Sequence, residues 1–233
     1  MFAALHDALN PALFWEYRVT LLTGLKQNVY IFIESAILAV LIAFVVGTAR
    51  LSQRPAVRWA ATAYTEFFRN TPEYVLLVWI YFVLPLIIGK MLGTHFKLSP
   101  HAAAVIGLGI ACSGFMSETV RAGLRSISSG QTEAALSLGM SRFTMLRRIM
   151  LPQAVRRMLP EAINSLVSLF KSTTIVSLIT VQDIMYQVSM VSVAEMRPVP
   201  LYTGAALLYC AVIILATQVL QQLTEKWRGR GWA

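Results

Sequence analysis

This chain is short of charge. Only 13% of its 233 residues are Asp, Glu, Lys or Arg, where soluble domains carry about a quarter. With 57% hydrophobic residues and a positive mean hydropathy, it is excluded from the soluble globular class and belongs with integral membrane proteins. Its apolar runs lack the period-two alternation of barrel strands, so helix is the remaining way to satisfy the backbone in lipid. Cysteine is nearly absent: Cys112 and Cys210 each sit inside an apolar run, as packing residues rather than a disulfide or metal pair. The three histidines, His6, His95 and His101, show no ligand spacing, so no metal site is expected. No Gly-x-x-x-x-Gly-Lys-[Ser/Thr] phosphate loop occurs, and Gly107 and Gly109 follow no strand. Residues Met1 to Trp15 have neither a basic n-region nor an uninterrupted apolar h-region, so no cleaved secretory signal is expected. No short repeat or low-complexity linker divides the chain, and residues 1–233 are read as a single transmembrane domain.

What the chain does have is five apolar stretches at about 27–49, 72–92, 101–120, 159–180 and 202–224, each close to the roughly 20 residues that span a bilayer. The fold class expected is therefore an all-α, multi-pass membrane protein with five transmembrane helices. Its basic residues are distributed unevenly. One side receives Arg50, Arg54, Arg58 and Arg69, then the arginines from Arg121 to Arg157, then Lys226, Arg228 and Arg230; the other receives Arg18, Lys26, Lys90, Lys97 and Arg197. The positive-inside rule places the N-terminus outside and the C-terminus in the cytoplasm. The net charge of +9 thus marks topology and contact with anionic membrane lipid, not nucleic-acid binding.

Along the chain, residues 1–22 mix Leu5, Phe14, Trp15 and Tyr17 with His6, Asp7, Glu16 and Arg18, as in a short interfacial helix. Residues 56–71 place apolar groups three and four apart between Arg58, Glu66 and Arg69, and Asn70-Thr71-Pro72 interrupts that helix at the start of the second span. Ser99-Pro100 opens the third span with a cap and a first-turn proline. Its many small residues, from Ala102 to Ser117, suit a helix packed at the bundle centre.

From Ser126 to Pro160 runs the longest polar stretch, too long for a passive connection. Gln131 to Leu138 favours helix, Gly139 offers the dihedrals of a helix end, and Ser141 caps a second helix beginning at Arg142. Pro152 is expected to end that helix and Pro160 to separate it from the fourth span. A helical hairpin of this kind fits the docking of a partner.

The run Glu133-Ala134-Ala135, three residues, Gly139, nine residues, Ile149, one residue, Leu151-Pro152 resembles the EAA loop of bacterial ABC importer permeases. Phe68-Arg69-Asn70-Thr71-Pro72, Ser117 to Gly123, Ser128-Ser129-Gly130-Gln131, Leu151-Pro152-Gln153-Ala154 and Lys171-Ser172-Thr173-Thr174 are similar to the polar amino acid branch of that family. The resemblance covers about residues 20 to 225. It implies a permease subunit, not an enzyme, moving a polar amino acid across the inner membrane. The hairpin would dock on a dimer of ATP-binding subunits, through Glu133, Ala134, Ala135 and Gly139 with Arg142 beside them. A second permease copy or paralogue and an extracytoplasmic substrate-binding protein would complete the assembly. ATP and Mg would be bound by the partner, with no cofactor in this chain.

Ionisable groups within spans are costly, by about 2.5–3.5 kcal/mol on insertion scales, and each invites a functional reading. Glu34 is taken as a structural polar contact. Glu118 either receives an ammonium or cationic group of the substrate or pairs with Arg121, three residues on; both readings stay open. Lys171, with Ser172, Thr173 and Thr174, either presents a cation and hydroxyls to a carboxylate or bonds between helices. The relatives' Lys-x-Thr-Ser-Leu reads Lys171-Ser172-Thr173-Thr174-Ile175 here. Glu118, Arg121, Lys171, Thr173 and Thr71 are the candidate substrate-pathway residues. The competing class is an intramembrane enzyme or channel built on Glu118 and Arg121, which leaves the hairpin without a purpose.

Overall fold

A computed structural model describes residues 12–229. The start of the segment expected as an interfacial helix, and Arg230, lie outside the described residues. Five helices are long and apolar enough to cross a membrane: Arg18–Ala49, Glu73–Leu92, Pro100–Arg125, Arg142–Ile179 and Pro198–Leu220. In chain order the elements are α1 (Ala12–Glu16), α2 (Arg18–Ala49), α3 (Pro55–Asn70), α4 (Glu73–Leu92), α5 (Pro100–Arg125), α6 (Ser129–Ser137), α7 (Arg142–Ile179), α8 (Ile184–Glu195) and α9 (Pro198–Gly229). All the regular structure among the described residues is helical.

The first span starts earlier than its charges imply. Among the described residues of the expected interfacial helix, Ala12–Glu16 forms a short separate helix, and from Arg18 onward the chain is already in α2. Arg18 and Lys26 do not stop the helix because both lie over aromatic rings, Arg18 at 5.0 Å from the centroid of Trp15 and Lys26 at 5.5 Å from that of Tyr30. Their apolar stems cover the helix surface while the charged ends reach out.

Prolines shape two spans. The break at Thr71-Pro72 is real: both residues are extended, at φ −86°, ψ 126° and φ −60°, ψ 128°. Further on, the expected separations at Pro152 and Pro160 are not found, and one helix runs without interruption from the hairpin to Ile179. The reason is a π-helical turn at Leu146–Met150, where the widened backbone makes room for the Pro152 ring and absorbs its missing donor. The same device, a π turn at Trp79–Val83, precedes Pro85 in α4. Pro160 is carried inside α7 on an exposed position.

The small residues of α5 put it at the bundle centre, as their composition requires. Ala103, Ala104 and Ser113 are fully buried. A Cβ placed on Gly47 of α2 would stand 2.7 Å from the Ser117 backbone carbonyl of α5, so a glycine is what permits that approach. Hydroxyls join α3 to α5: Tyr64 and Ser113 are 2.7 Å apart, Thr65 and Ser117 2.9 Å. A second, smaller core gathers Leu21, Ile184, Val188, Leu201 and Ala205, and holds α8 and α9 against the start of α2.

Candidate functional site

The polar residues of spans two to four converge. Glu118, on the small-residue helix α5, is gripped from two sides: Arg121 donates Nη2 to Oε1 and Nε to Oε2, and Arg50, from the end of α2, donates Nη1 to Oε2. The Arg50 side chain is only 9% exposed. Of the two readings left open for Glu118, pairing with Arg121 is what the side chain does, and Arg50 adds a second cation that sequence reasoning missed. A carboxylate held by two guanidiniums is an ionised structural acceptor. It is poorly suited to give or take a proton, and the enzyme reading of Glu118 and Arg121 finds no support.

Glu118 also borders a cavity of about 430 Å³ between α3–α4, α5 and α7. One wall is Arg69 and Glu73, flanking the Thr71-Pro72 break. The opposite wall is Glu161, Asn164, Ser165 and Ser168 on α7. Their spacing of three and four makes a single polar stripe. Cys112 and Phe115 of α5 lie between the walls, and Arg69 stands 5.9 Å from the Phe115 ring centroid. Arg69 has a long ion pair with Glu66, at 3.9 Å. Glu73 and Glu161 make no hydrogen bond or ion pair among the described residues.

The other pathway candidates are not gathered here. Arg121 is turned to Glu118 and does not line the cavity. Thr71 donates its hydroxyl to the Phe67 carbonyl at 2.7 Å, and Lys171 is exposed beyond the cavity wall. Thr173 is fully buried in a different polar cluster. There Asn28 Nδ2 donates to the Thr173 carbonyl and hydroxyl, both at 3.1 Å, and to Asp183 Oδ2 at 3.2 Å, while Asn28 Oδ1 accepts from the Ile184 amide at 3.1 Å. Asp183 Oδ1 caps α8 by accepting from the Tyr186 amide at 2.9 Å. Burial pushes the Asp183 carboxyl up to about 6, against these hydrogen bonds, which lower it. Glu34 does make a polar contact between spans, 2.8 Å from His101 Nε2 of α5, while Gln27 meets His101 Nδ1 at 2.9 Å.

The residues lining the cavity were mostly overlooked in the sequence. Glu161, Asn164, Ser165 and Ser168 repeat at helical spacing in the fourth apolar stretch, and a count of polar positions by helical face would have found them. Nothing in the linear pattern pairs Arg50 with Glu118, 68 residues apart.

The hairpin forms two helices about Gly139, as its spacing predicts: α6 ends at Ser137, Gly139 takes φ 72°, and Ser141 Oγ accepts from the Thr144 amide at 3.2 Å to cap the start of α7. Ala135 is buried beneath the turn, whereas Glu133, Ala134, Gly139 and Arg142 are exposed. Leu138 and Phe143 beside them are also exposed, at 80% and 70%. An apolar and charged knob stands free of the bundle.

Comparison with known proteins gives this geometry its context. Residues 33–229 match the family model described as binding-protein-dependent transport system inner membrane component. The chain is 30% identical over 227 residues to the probable amino-acid ABC transporter permease protein y4tF of Sinorhizobium fredii (strain NBRC 101917 / NGR234), covering 96% of this chain and 91% of that protein. It is 31% identical over 209 residues to the arginine transport system permease protein ArtQ of Bacillus subtilis (strain 168), covering 88% and 91%. A solved crystal structure of an amino acid ABC transporter with histidines superposes with a TM-score of 0.82 at 25% identity, over 93% of this chain and 98% of that one. The chain therefore belongs to the family of inner membrane components of binding-protein-dependent transport systems.

Proposed function

We propose that this chain is the permease subunit of a bacterial inner-membrane ABC importer for a polar amino acid, and that the amino acid passes through the cavity between α4, α5 and α7. The observation that carries this reading is the juxtaposition of one cation, Arg69, with the unpaired carboxylates Glu73 and Glu161 across a space of about 430 Å³. That volume suits a small zwitterion. Arg69 offers a bidentate partner for an α-carboxylate, either acid a partner for the α-ammonium group, and Asn164 and Ser168 neutral hydrogen bonds. Names of relatives that carry amino acids, arginine among them, support the substrate class.

The knob about Gly139 is the element that docks on a separate ATP-binding subunit, with Glu133, Ala134, Gly139 and Arg142 at the contact and Ala135 buried beneath them as support. Exposed Leu138 and Phe143 supply the apolar area such a contact buries. ATP and Mg belong to that partner, and a second permease and an extracytoplasmic binding protein complete the transporter. Closure of the ATP-binding pair would act through α7, which joins the knob to the cavity wall as one unbroken helix. Reconstitution of the whole complex in liposomes tests the reading: ATP hydrolysis and uptake should both rise when the binding protein is supplied with its amino acid. Hydrolysis that ignores every amino acid would overturn it.

A further inference from the structure

The fixed charges around the cavity go beyond a generic zwitterion site. Glu118 is saturated by Arg50 and Arg121, so although it borders the cavity it has no free charge to offer a ligand. What remains facing the space is one cation, Arg69, and two acids, Glu73 and Glu161. Arg69 is also partly compensated from behind by Glu66, at 3.9 Å. Counting the groups in contact, three guanidiniums (Arg50, Arg69, Arg121) oppose four carboxylates (Glu66, Glu73, Glu118, Glu161), a net charge of −1.

A neutral amino acid bound here would satisfy Arg69 with its carboxylate and one acid with its ammonium group, leaving the second acid ionised and unpaired once water is displaced. Glu161 is exposed and Glu73 half-buried in this structure, so the cost of an unpaired acid arises when a bound ligand displaces its water. An acidic side chain would add a third carboxylate beside two others and make matters worse. Only a ligand with a second cation balances every group. We infer that the cavity selects an amino acid with a cationic side chain, of the arginine, lysine or ornithine type, and that Glu73 and Glu161, on opposite walls, are the residues that set this charge preference. This inference rests on the cavity being the amino-acid site.

The two acids stand on different elements. Glu73 follows the Thr71-Pro72 break, while Glu161 lies on the helix that runs to the hairpin. A dicationic ligand bridging them ties the two walls together, which a neutral ligand does not. Specificity then arises from an electrostatic penalty against the wrong ligand as much as from attraction to the right one.

The test is equilibrium binding of radiolabelled L-arginine, L-glutamine and L-glutamate to the detergent-solubilised permease purified with its ATP-binding subunit, with no binding protein present. L-arginine should bind about tenfold or more tighter than either of the others. Glu161→Gln and Glu73→Gln, each close in shape to the original, should lower arginine affinity about tenfold and raise glutamine affinity, because the acid that glutamine leaves unpaired is gone. Tighter binding of glutamine or glutamate than arginine, or unchanged arginine affinity in both variants, would overturn the charge assignment and leave the amino-acid site standing. Absence of binding by all three amino acids would overturn the site and the assignment together.

Discussion

Arg50 and Glu118 are 68 residues apart in sequence and in direct ion contact in the fold. The pair fastens the end of α2 to the middle helix α5, and Arg121 holds the same carboxylate from within α5. The Arg50 side chain is almost fully enclosed, and its Nε makes no hydrogen bond. Its charge is therefore balanced almost entirely through one partner.

Removing that partner should destabilise the fold more than removing both. Glu118→Met leaves two guanidiniums facing each other and is expected to lower stability by about 3 kcal/mol, in the range for breaking one side of an enclosed pair. Glu118→Met combined with Arg50→Met should recover a good part of the loss. Thermal unfolding of the four members of this cycle measures the coupling. Strictly additive effects would show that the contact carries no energy of its own.

At the hairpin, the expected outcome is a split between folding and work. Gly139 sits at φ 72° with open space where a Cβ would stand, so a side chain there meets backbone strain and no clash. Gly139→Val should cost about 1–2 kcal/mol locally. Combined with Glu133→Arg, it should abolish uptake while membrane insertion and expression persist. Uptake at the normal rate in the double variant would remove these positions from the docking contact.

Much of this architecture was legible in the residues. Composition and run length gave five helices, small residues placed α5 at the centre, and the Thr71-Pro72 break and the Gly139 hairpin followed from dihedral preferences local to a few residues. Two kinds of feature were not legible. Pro152 and Pro160 read as helix ends because local rules penalise proline in a helix, and only the backbone reveals the π turn that absorbs Pro152. The cavity was missed for the opposite reason: its charges come from three separate segments, each ordinary alone. Glu73 and Glu161 fall in no motif, and Arg69 is one basic residue beside the Asn70-Thr71-Pro72 break. Lys171, the conspicuous cation of the fourth span, is exposed and does not border the cavity.

That last contrast is directly measurable. Arg69→Ala should lower amino-acid uptake by about tenfold or more, since the carboxylate of the ligand loses its bidentate partner. Lys171→Ala should leave uptake within about twofold, since Lys171 does not border the cavity. Initial rates of uptake in reconstituted vesicles, normalised to the amount of assembled complex, decide between them. A reversed order would move the carboxylate site from the Arg69 end of α3 to the last turns of α7.

The Asn28–Thr173–Asp183 cluster predicts a pH dependence whose sign is fixed by burial. Asp183 is fully enclosed, and desolvation raises its carboxyl from 3.8 to about 6 despite the hydrogen bonds from Asn28 and Tyr186. A carboxyl raised on folding adds stability while protonated in both states, below about 4, and that contribution is lost as the pH climbs through about 6. A rise of this size is worth on the order of 2–3 kcal/mol. Asp183→Asn keeps an oxygen to cap the Tyr186 amide and cannot ionise, so it should remove the pH dependence without removing the cap. Thermal midpoints of the two proteins compared from pH 4 to pH 7 should show the unmodified chain losing ground to the Asn variant as pH rises, chiefly between pH 4 and pH 6. Every group other than residue 183 is common to both proteins and cancels in the difference. A constant difference across the window, or one that runs the other way, would mean that the Asp183 carboxylate is better solvated by Asn28 and the α8 amides than its burial implies.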